Sequence, residues 1–414
     1  MAGHADVLVL GAGIVGVSAA LHLQRRGRDV VLLDRRGAGE ETSYGNAGLI
    51  ERASVFPYTF PRELATLLRY AQNTSTDAHY HLAALPHVAP WLARYFMASS
   101  PEAIARTVTG AWPLIQRCLD EHEDIMASAG AGHFLRKVGW IKAFRDERSL
   151  AKGLDDVEKL KPYGLAIDKL DPAALAEREP FLEEGLTGGI HFRDPGAISD
   201  PGGLVKAYCD HFLAGNGRFL RGDALSLEEN PAGWRVVTED GTVAAREVVV
   251  ALGPWSDTVT RRLGYALPLG IKRGYHQHFR PKGNAVLNRP VLDVDGGFLL
   301  APMARGIRLT TGAEFADRDA APSPVQVERA IPKARAFFPL GDAVEPTPWM
   351  GARPCFPDML PVIDRGRRHQ GLWFDFGHQH HGLTLGPVTG RLLAEMMTGE
   401  TPFTDPAPYR ADRF

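Results

Sequence analysis

Hydrophobic positions along the chain fall into three patterns. Residues 6–10, DVLVL, are a nearly unbroken apolar run, as a strand buried on both faces requires. Ile14, Val15, Val17, Ala20, Leu21 and Leu23 then recur at helical spacing until Gly27, and a second apolar run, 30–33, closes on Asp34. This predicts strand, helix, strand. Residues 56–130 hold amphipathic helical stretches such as LATLLRY and VAPWLARYF. KVGWIKAF predicts a strand, DERSLAKGLDDVEKL a helix, and residues 202–214 another helix. Within 218–253, FLRGDALSLEE, GWRVVTED and REVVVALG read as strands. PLGIKRGYHQHF and GFLLAPMARGIRLTTGAEF alternate apolar with polar, as strands of an antiparallel sheet do. A helix over 324–338, a proline-rich loop, a strand, a turn and a last helix complete the chain.

Pieces of the first kind lie at the start, middle and end, with antiparallel and helical material between them. The expected class is α/β (α+β overall), with two interleaved domains. A Rossmann-like nucleotide domain takes residues 1–55, 195–265 and 345–414. A domain of antiparallel sheet plus helices, expected to bind the substrate, takes 56–194 and 266–344.

Composition adds mainly exclusions. The 414 residues are 44% hydrophobic and 23% charged, with a formal net charge of −2. Nothing draws the whole molecule to nucleic acid or to an anionic membrane. Cys118, Cys209 and Cys355 lie far apart, forming neither a metal quartet nor a disulfide framework. They suit a reducing compartment. The N-terminus lacks the basic region of an export signal, and no stretch approaches the roughly 20 apolar residues of a membrane span. The expected setting is the cytoplasm, with peripheral contact at the inner face of the membrane left open.

The first strand–helix–strand unit carries the strongest chemical signal. Gly11, Gly13 and Gly16 stand in GxGxxG spacing. Gly11 makes the tight turn, Gly13 lets the backbone approach a pyrophosphate, and Gly16 lets helix and strand pack closely. The N–H groups of Ile14 and Val15 open the helix toward the diphosphate. Asp34, with Arg35 beside it, is placed for ribose hydroxyls. The fingerprint does not choose between NAD and FAD.

Four further motifs make that choice: ETSYGNAGLI, VVVALGPWS, GARPCFPDMLPVID and FGHQHHGLTLGPVTGRLLAEMM. In this order the chain resembles the D-amino acid oxidase/glycine oxidase superfamily of FAD-dependent oxidoreductases, and most of all its bacterial D-amino acid dehydrogenase small-subunit branch. The resemblance implies FAD, held non-covalently, since Cys355 does not match the spacing of a flavin-attachment cysteine. It places Thr42, Ser43, Asn46, Ala47, Gly48 and Leu49 along the pyrophosphate and flavin ring. Ala251, Gly253 and Trp255 pass beneath the cofactor, and Ala224 lies near the adenine. Gly382, Leu383 and Thr384 start a helix whose N-terminus faces the flavin, where charge develops on reduction. Arg353 matches the family's carboxylate-binding arginine, a role that suits a planar fork. His380 falls where glycine-oxidase relatives carry an arginine. Tyr275 and His276 occupy a strand expected to line the substrate pocket. His378 and His381 have no assigned role beyond bracing the turn. HQHH lacks the cysteine or carboxylate that would complete a metal set, so no metal is expected.

The implied activity is oxidative deamination of a D-amino acid, with a cyclic D-imino acid such as D-proline or hydroxy-D-proline within range. Electrons would leave to a quinone or other carrier, or to oxygen, and no obligate acid–base residue is needed. The alternatives are a glycine- or sarcosine-type amine oxidase, a non-catalytic FAD-binding subunit of a larger complex, and an NAD-dependent dehydrogenase.

Overall fold

The computed structural model describes residues 3–414. Strand His4–Leu10, helix Ile14–Arg25 and strand Val30–Asp34 form where the apolar pattern predicts them. The strand is hydrogen-bonded in parallel to Val30–Asp34 on one side and to Gly241–Val250 on the other. Arg218–Arg221 extends the sheet beyond the first, and Leu372–Phe376 beyond the second. Val7, Leu8, Val9 and Leu10 are wholly buried, because helices cover one face and the antiparallel strands and their loops the other.

The second sheet is built on one long strand, Gly270–Pro281, which pairs antiparallel with Gly306–Thr310, Ala313–Phe315, Leu340–Ala343 and Trp349–Cys355. It continues through Phe298–Met303 and Val291–Asp293 to Trp140–Phe144, Gly188–Phe192 and Ile167–Leu170. Two of its pairings are parallel, Val291–Asp293 on Trp140–Phe144 and Ala313–Phe315 on Ala78–Tyr80. Sequence patterning reads the 56–130 stretch as helical; helices Leu64–Ala71, Leu85–Met97, Pro101–Ile115 and Cys118–Ala129 form there, but so does the strand Ala78–Tyr80. That strand, AHY, is too short to show an alternation and owes its existence to its partner.

The last helix, Gly382–Thr398, packs on the first. A Cβ at Gly390 would lie 2.7 Å from the Ala19 nitrogen, and one at Gly386 3.0 Å from the Ile14 side chain. Missing side chains let the two helices cross closely, and both N-termini reach the same cavity. Among the described residues, no helix is long and apolar enough to cross a membrane.

Candidate active site

One elongated cavity of about 1110 Å³ runs from the glycine-rich turn to the long strand of the second sheet. It exceeds the roughly 300–1,000 Å³ of common small-molecule pockets, leaving room for a long ligand and a second, smaller one.

The nucleotide end is assembled from the first sheet. Gly11 has φ +106, a left-handed conformation a side chain would strain, and Gly11, Gly13, Ile14 and Val15 line the wall. The Ile14 N–H donates to Ser43 Oγ at 3.0 Å, which draws the 42–49 segment onto the helix start. Asp34 accepts from the N–H groups of Ala12 at 2.7 Å and Arg36 at 2.9 Å, and burial lifts its pKa despite them. The Arg35 guanidinium lies 4.3 Å over the Trp255 ring, and both residues line the cavity with Ala224, Ala251 and Gly253.

The 42–49 segment is tied at several points. Thr42 Oγ1 donates to the Ala352 carbonyl at 3.0 Å, and Asn46 donates to the His380 carbonyl at 3.4 Å. Thr42, Ser43, Asn46, Ala47 and Leu49 face the cavity, as do Gly382 and Leu383. A buried histidine, His122, contacts the Leu383 carbonyl at 2.6 Å and fixes the start of the last helix. Burial holds its pKa down to about 4, so it is neutral at pH 7.

Three predicted cofactor residues sit off the wall. A Cβ on Gly16 would overlap the Gly11 carbonyl oxygen, so Gly16 serves helix–strand packing rather than contact. Gly48, with φ +75, is pressed against the Ile198 carbonyl. Thr384 joins two elements: its hydroxyl accepts from the Glu51 N–H at 3.0 Å and donates to the Leu49 carbonyl at 3.2 Å.

The other end is built on the pairing of Gly270–Pro281 with Trp349–Cys355. Lys272 stands directly opposite Arg353, and Gly274 opposite Gly351. Arg353 Nη1 donates to the carbonyls of Arg273 at 3.3 Å and Gly312 at 3.2 Å. Its Nε and Nη2 have no partner among the described residues, so the edge with two parallel N–H groups is free to take a carboxylate. Gly274 makes room for this: a Cβ there would overlap the guanidinium. Burial lowers the Arg353 pKa, and neither Arg353 nor Lys272 has an ion-pair partner among the described residues. Lys272 Nζ lies 4.0 Å over Tyr95 and 5.4 Å over Trp91, and burial brings its pKa to about 8. Two like charges placed opposite each other destabilise a sheet, which points to an anion as the missing partner.

His380 enters the cavity because the chain turns sharply before it: Gly377 has φ +87, Gln379 φ +57, and the Gln379 N–H donates to the Pro354 carbonyl at 2.8 Å. Its ring meets Tyr58 edge-on at 4.6 Å, and its Nε2 is unpartnered. Burial, then the charges of His381 and Arg353, push its pKa far down, so the imidazole is neutral. His378 reaches Thr389 Oγ1 at 3.0 Å and Asp375 Oδ1 at 3.3 Å and braces the turn.

The two predicted substrate residues on this strand differ in where they lie. Tyr275 is on the cavity wall, and its side chain also joins the core with Phe279 and Phe298. Its hydroxyl is engaged by Arg273 at 2.7 Å, Glu314 at 2.9 Å and the Ser323 N–H at 2.7 Å. His276 does not reach the cavity, because Trp349 stacks on it with centroids 4.8 Å apart. Alternation along a strand gives two faces but does not say what covers each. Sequence reasoning also missed Glu51, Tyr58 and Lys272, all on the wall. Lys272 had a signal: its place two residues before Gly274 puts it on the face that Arg353 uses. A further cluster, His79, His81 and Glu314, brings potential ligand atoms within 4.8 Å, but the Arg273 guanidinium already holds Glu314 at 2.7 Å.

A glycine-rich turn and a second helix N-terminus face one long cavity, with two cations lacking ion-pair partners among the described residues at its far end, an arrangement that fits a dinucleotide-binding enzyme. Residues 6–396 match the family described as FAD dependent oxidoreductase, DAO. The chain belongs to this family and is an FAD-dependent oxidoreductase. It is 30% identical to the D-amino-acid oxidase of Bradyrhizobium diazoefficiens, across 99% of this chain and 98% of that one. It is 29% identical to D-amino acid dehydrogenase 2 of Mesorhizobium japonicum, across 97% and 98%. Its fold is similar to that of glycine oxidase from Geobacillus kaustophilus, with a TM-score of 0.74 and 22% identity over 100% and 99% of the two chains. The residues present fit FAD: an open Gly253 and Gly382, neither with an atom within 4 Å of a built Cβ, leave backbone exposed to the cavity.

Proposed function

We propose that this protein oxidises a D-amino acid at its α-carbon, giving an imino acid that water converts to a 2-oxo acid and ammonia. The observation that carries this reading is the half-buried Arg353 on the cavity wall, whose Nε and Nη2 make no hydrogen bond or ion pair among the described residues. A planar fork of this kind matches a carboxylate bidentately. The names of the two relatives above support an amino acid of D configuration.

FAD, when bound, supplies a two-electron acceptor at flavin N5. Its diphosphate would be held by Gly11, Gly13, Ile14 and Val15, its ribose by Asp34, and the flavin end by residues 42–49 and the first turn of the last helix. Arg353 holds the substrate carboxylate, and that fixes where the α-carbon lies. Neutral His380 and Tyr58 border the space beside it. Tyr95, Trp91 and Phe315 surround Lys272 with apolar surface that limits water. This wall suits a modest, partly apolar side chain, and a secondary cyclic amine such as D-proline or hydroxy-D-proline would yield a cyclic imine. The acceptor that regenerates the oxidised cofactor is a quinone or other carrier, or oxygen, since the relatives include both a dehydrogenase and an oxidase.

The cofactor is proposed to be non-covalent: acid precipitation should leave a colourless pellet and a yellow supernatant. The activity itself is tested by anaerobic titration of the yellow protein with a panel of D-amino acids, L-amino acids, glycine and sarcosine. Bleaching by D-amino acids, with a 2-oxo acid formed in equal amount, supports the reading. Bound FAD that no member bleaches overturns it.

A further inference from the structure

We infer that Glu51 is the group that takes the proton from the substrate's ammonium, so that the amine is free when the α-hydrogen leaves. The inference rests on the proposed oxidation of an amino acid.

Glu51 follows strand Leu49–Ile50, and its N–H donates to Thr384 Oγ1 at 3.0 Å in the first turn of the last helix. Its backbone is therefore fixed between the two segments expected along the flavin. Its side chain lines the cavity, and no hydrogen bond or ion pair engages its carboxylate among the described residues. The other carboxylates on the wall, Asp375 apart, are held. Asp34 accepts from the Ala12 N–H, Glu41 pairs with Arg35, Asp77 with Arg69 and Asp319 with Arg318. Asp223 accepts from the Leu225 N–H, while Asp375 lies wholly buried 3.3 Å from His378 Nε2 with no hydrogen bond to its oxygens among the described residues. A carboxylate left bare at a ligand cavity, on otherwise buried backbone, is suited to a cationic or proton-bearing group of the ligand.

The charged and titratable groups facing it are few. Lys142 approaches from strand Trp140–Phe144, with its Nζ held over Trp140 at 5.7 Å and Phe192 at 5.3 Å. Tyr58 comes from the loop that follows, and Cys118, beside Arg52, from helix Cys118–Ala129. Thr384 on the last helix is uncharged. Tyr58 links the two ends of the proposed substrate: it feels Glu51 from one side and Arg353 from the other, and its ring meets His380. Burial, opposed by Lys142, raises the Glu51 pKa to about 7. Such a carboxyl is poised to give and take a proton near neutral pH.

The step balances simply. The ammonium N–H bond breaks and its proton goes to Glu51. The α-C–H bond then breaks, its electron pair leaving as hydride to the family's flavin. The freed nitrogen lone pair forms the C=N bond, and Glu51 returns its proton to water.

The test is the pH dependence of anaerobic bleaching, as rate over apparent Kd, from pH 6 to 10 in wild type, Glu51→Gln and Glu51→Asp. Wild type should lose rate as pH falls through about 7. Glu51→Gln should be slower by about 100-fold or more at pH 7 and rise with unit slope toward wild type as the substrate's own amine deprotonates. Glu51→Asp should keep the acid limb. A Glu51→Gln protein with the wild-type profile overturns the assignment. A second readout needs no turnover. Binding of 2-aminoisobutyrate, which has no α-hydrogen, should release protons near pH 6.5 in wild type, measured by calorimetry in two buffers. That release should vanish in Glu51→Gln, and equal release in both proteins overturns the inference even if activity is lost through folding. A wild type bleached by no amine fails the functional reading and takes this inference with it, whereas bleaching with an unaltered Glu51→Gln profile removes Glu51 alone.

Discussion

Replacing Arg353 by lysine keeps a positive charge but removes the fork. In the structure, Nη1 is spent on the carbonyls of Arg273 and Gly312, while Nε and Nη2 remain for the substrate. Lysine can place one donor where arginine places two. Losing one charge-assisted hydrogen bond in a buried site costs about 1.5–3 kcal/mol. At about 1.4 kcal/mol per factor of ten, kcat/KM should fall by about 10- to 150-fold, mainly through KM. Arg353→Met should cost more, about 2–5 kcal/mol, because no cation remains at the site. The assay is anaerobic stopped-flow bleaching across substrate concentrations, with the visible flavin spectrum as the control for an intact cofactor site. A Lys variant with kcat/KM within twofold of wild type would refute the assignment of the carboxylate to this edge.

Other substitutions probe separate parts of the site. Gly274→Ala should displace the Arg353 head and raise KM while the flavin spectrum stays unchanged, since the added Cβ overlaps the guanidinium and not the nucleotide end; an unchanged KM would mean the head relaxes without cost. Gly16→Ala forces a methyl onto the Gly11 carbonyl and should lower both melting temperature and FAD content, by about 1–3 kcal/mol of stability or more; full FAD occupancy would contradict this. His122 has a folded pKa near 4 against an ordinary 6.5, so its neutral form contributes stability that is complete above 6.5 and is lost as pH falls toward 4. His122→Gln should therefore flatten the acid limb of a plot of melting temperature against pH between 6.5 and 4, and an identical slope would show that other groups govern it.

The nucleotide end was legible in sequence because its determinants are local. Gly11, Gly13 and Asp34 act within one strand–helix–strand unit, and their spacing is the structure. Arg353 was legible because its motif carries the chemistry with it. His276 misled because a strand's alternation shows two faces, while the Trp349 ring that covers it comes from a distant segment. Glu51 was invisible because its unpaired carboxylate depends on distant segments. An unpaired charge is defined by what is absent around it, and only the packed chain shows that. His380 lies between: the resemblance placed it, but its neutrality follows from burial among His381, Arg353 and Tyr58.

The central claim is abstraction of an α-hydrogen from a D-amino acid held by Arg353. It is tested most directly by mixing the oxidised, FAD-bound protein anaerobically with the two enantiomers of one amino acid, each with and without α-deuterium, and following flavin absorbance. The D enantiomer should bleach the flavin, more slowly when deuterated, while the L enantiomer leaves it yellow. Bleaching by the L enantiomer alone, or by neither across the panel, would contradict it.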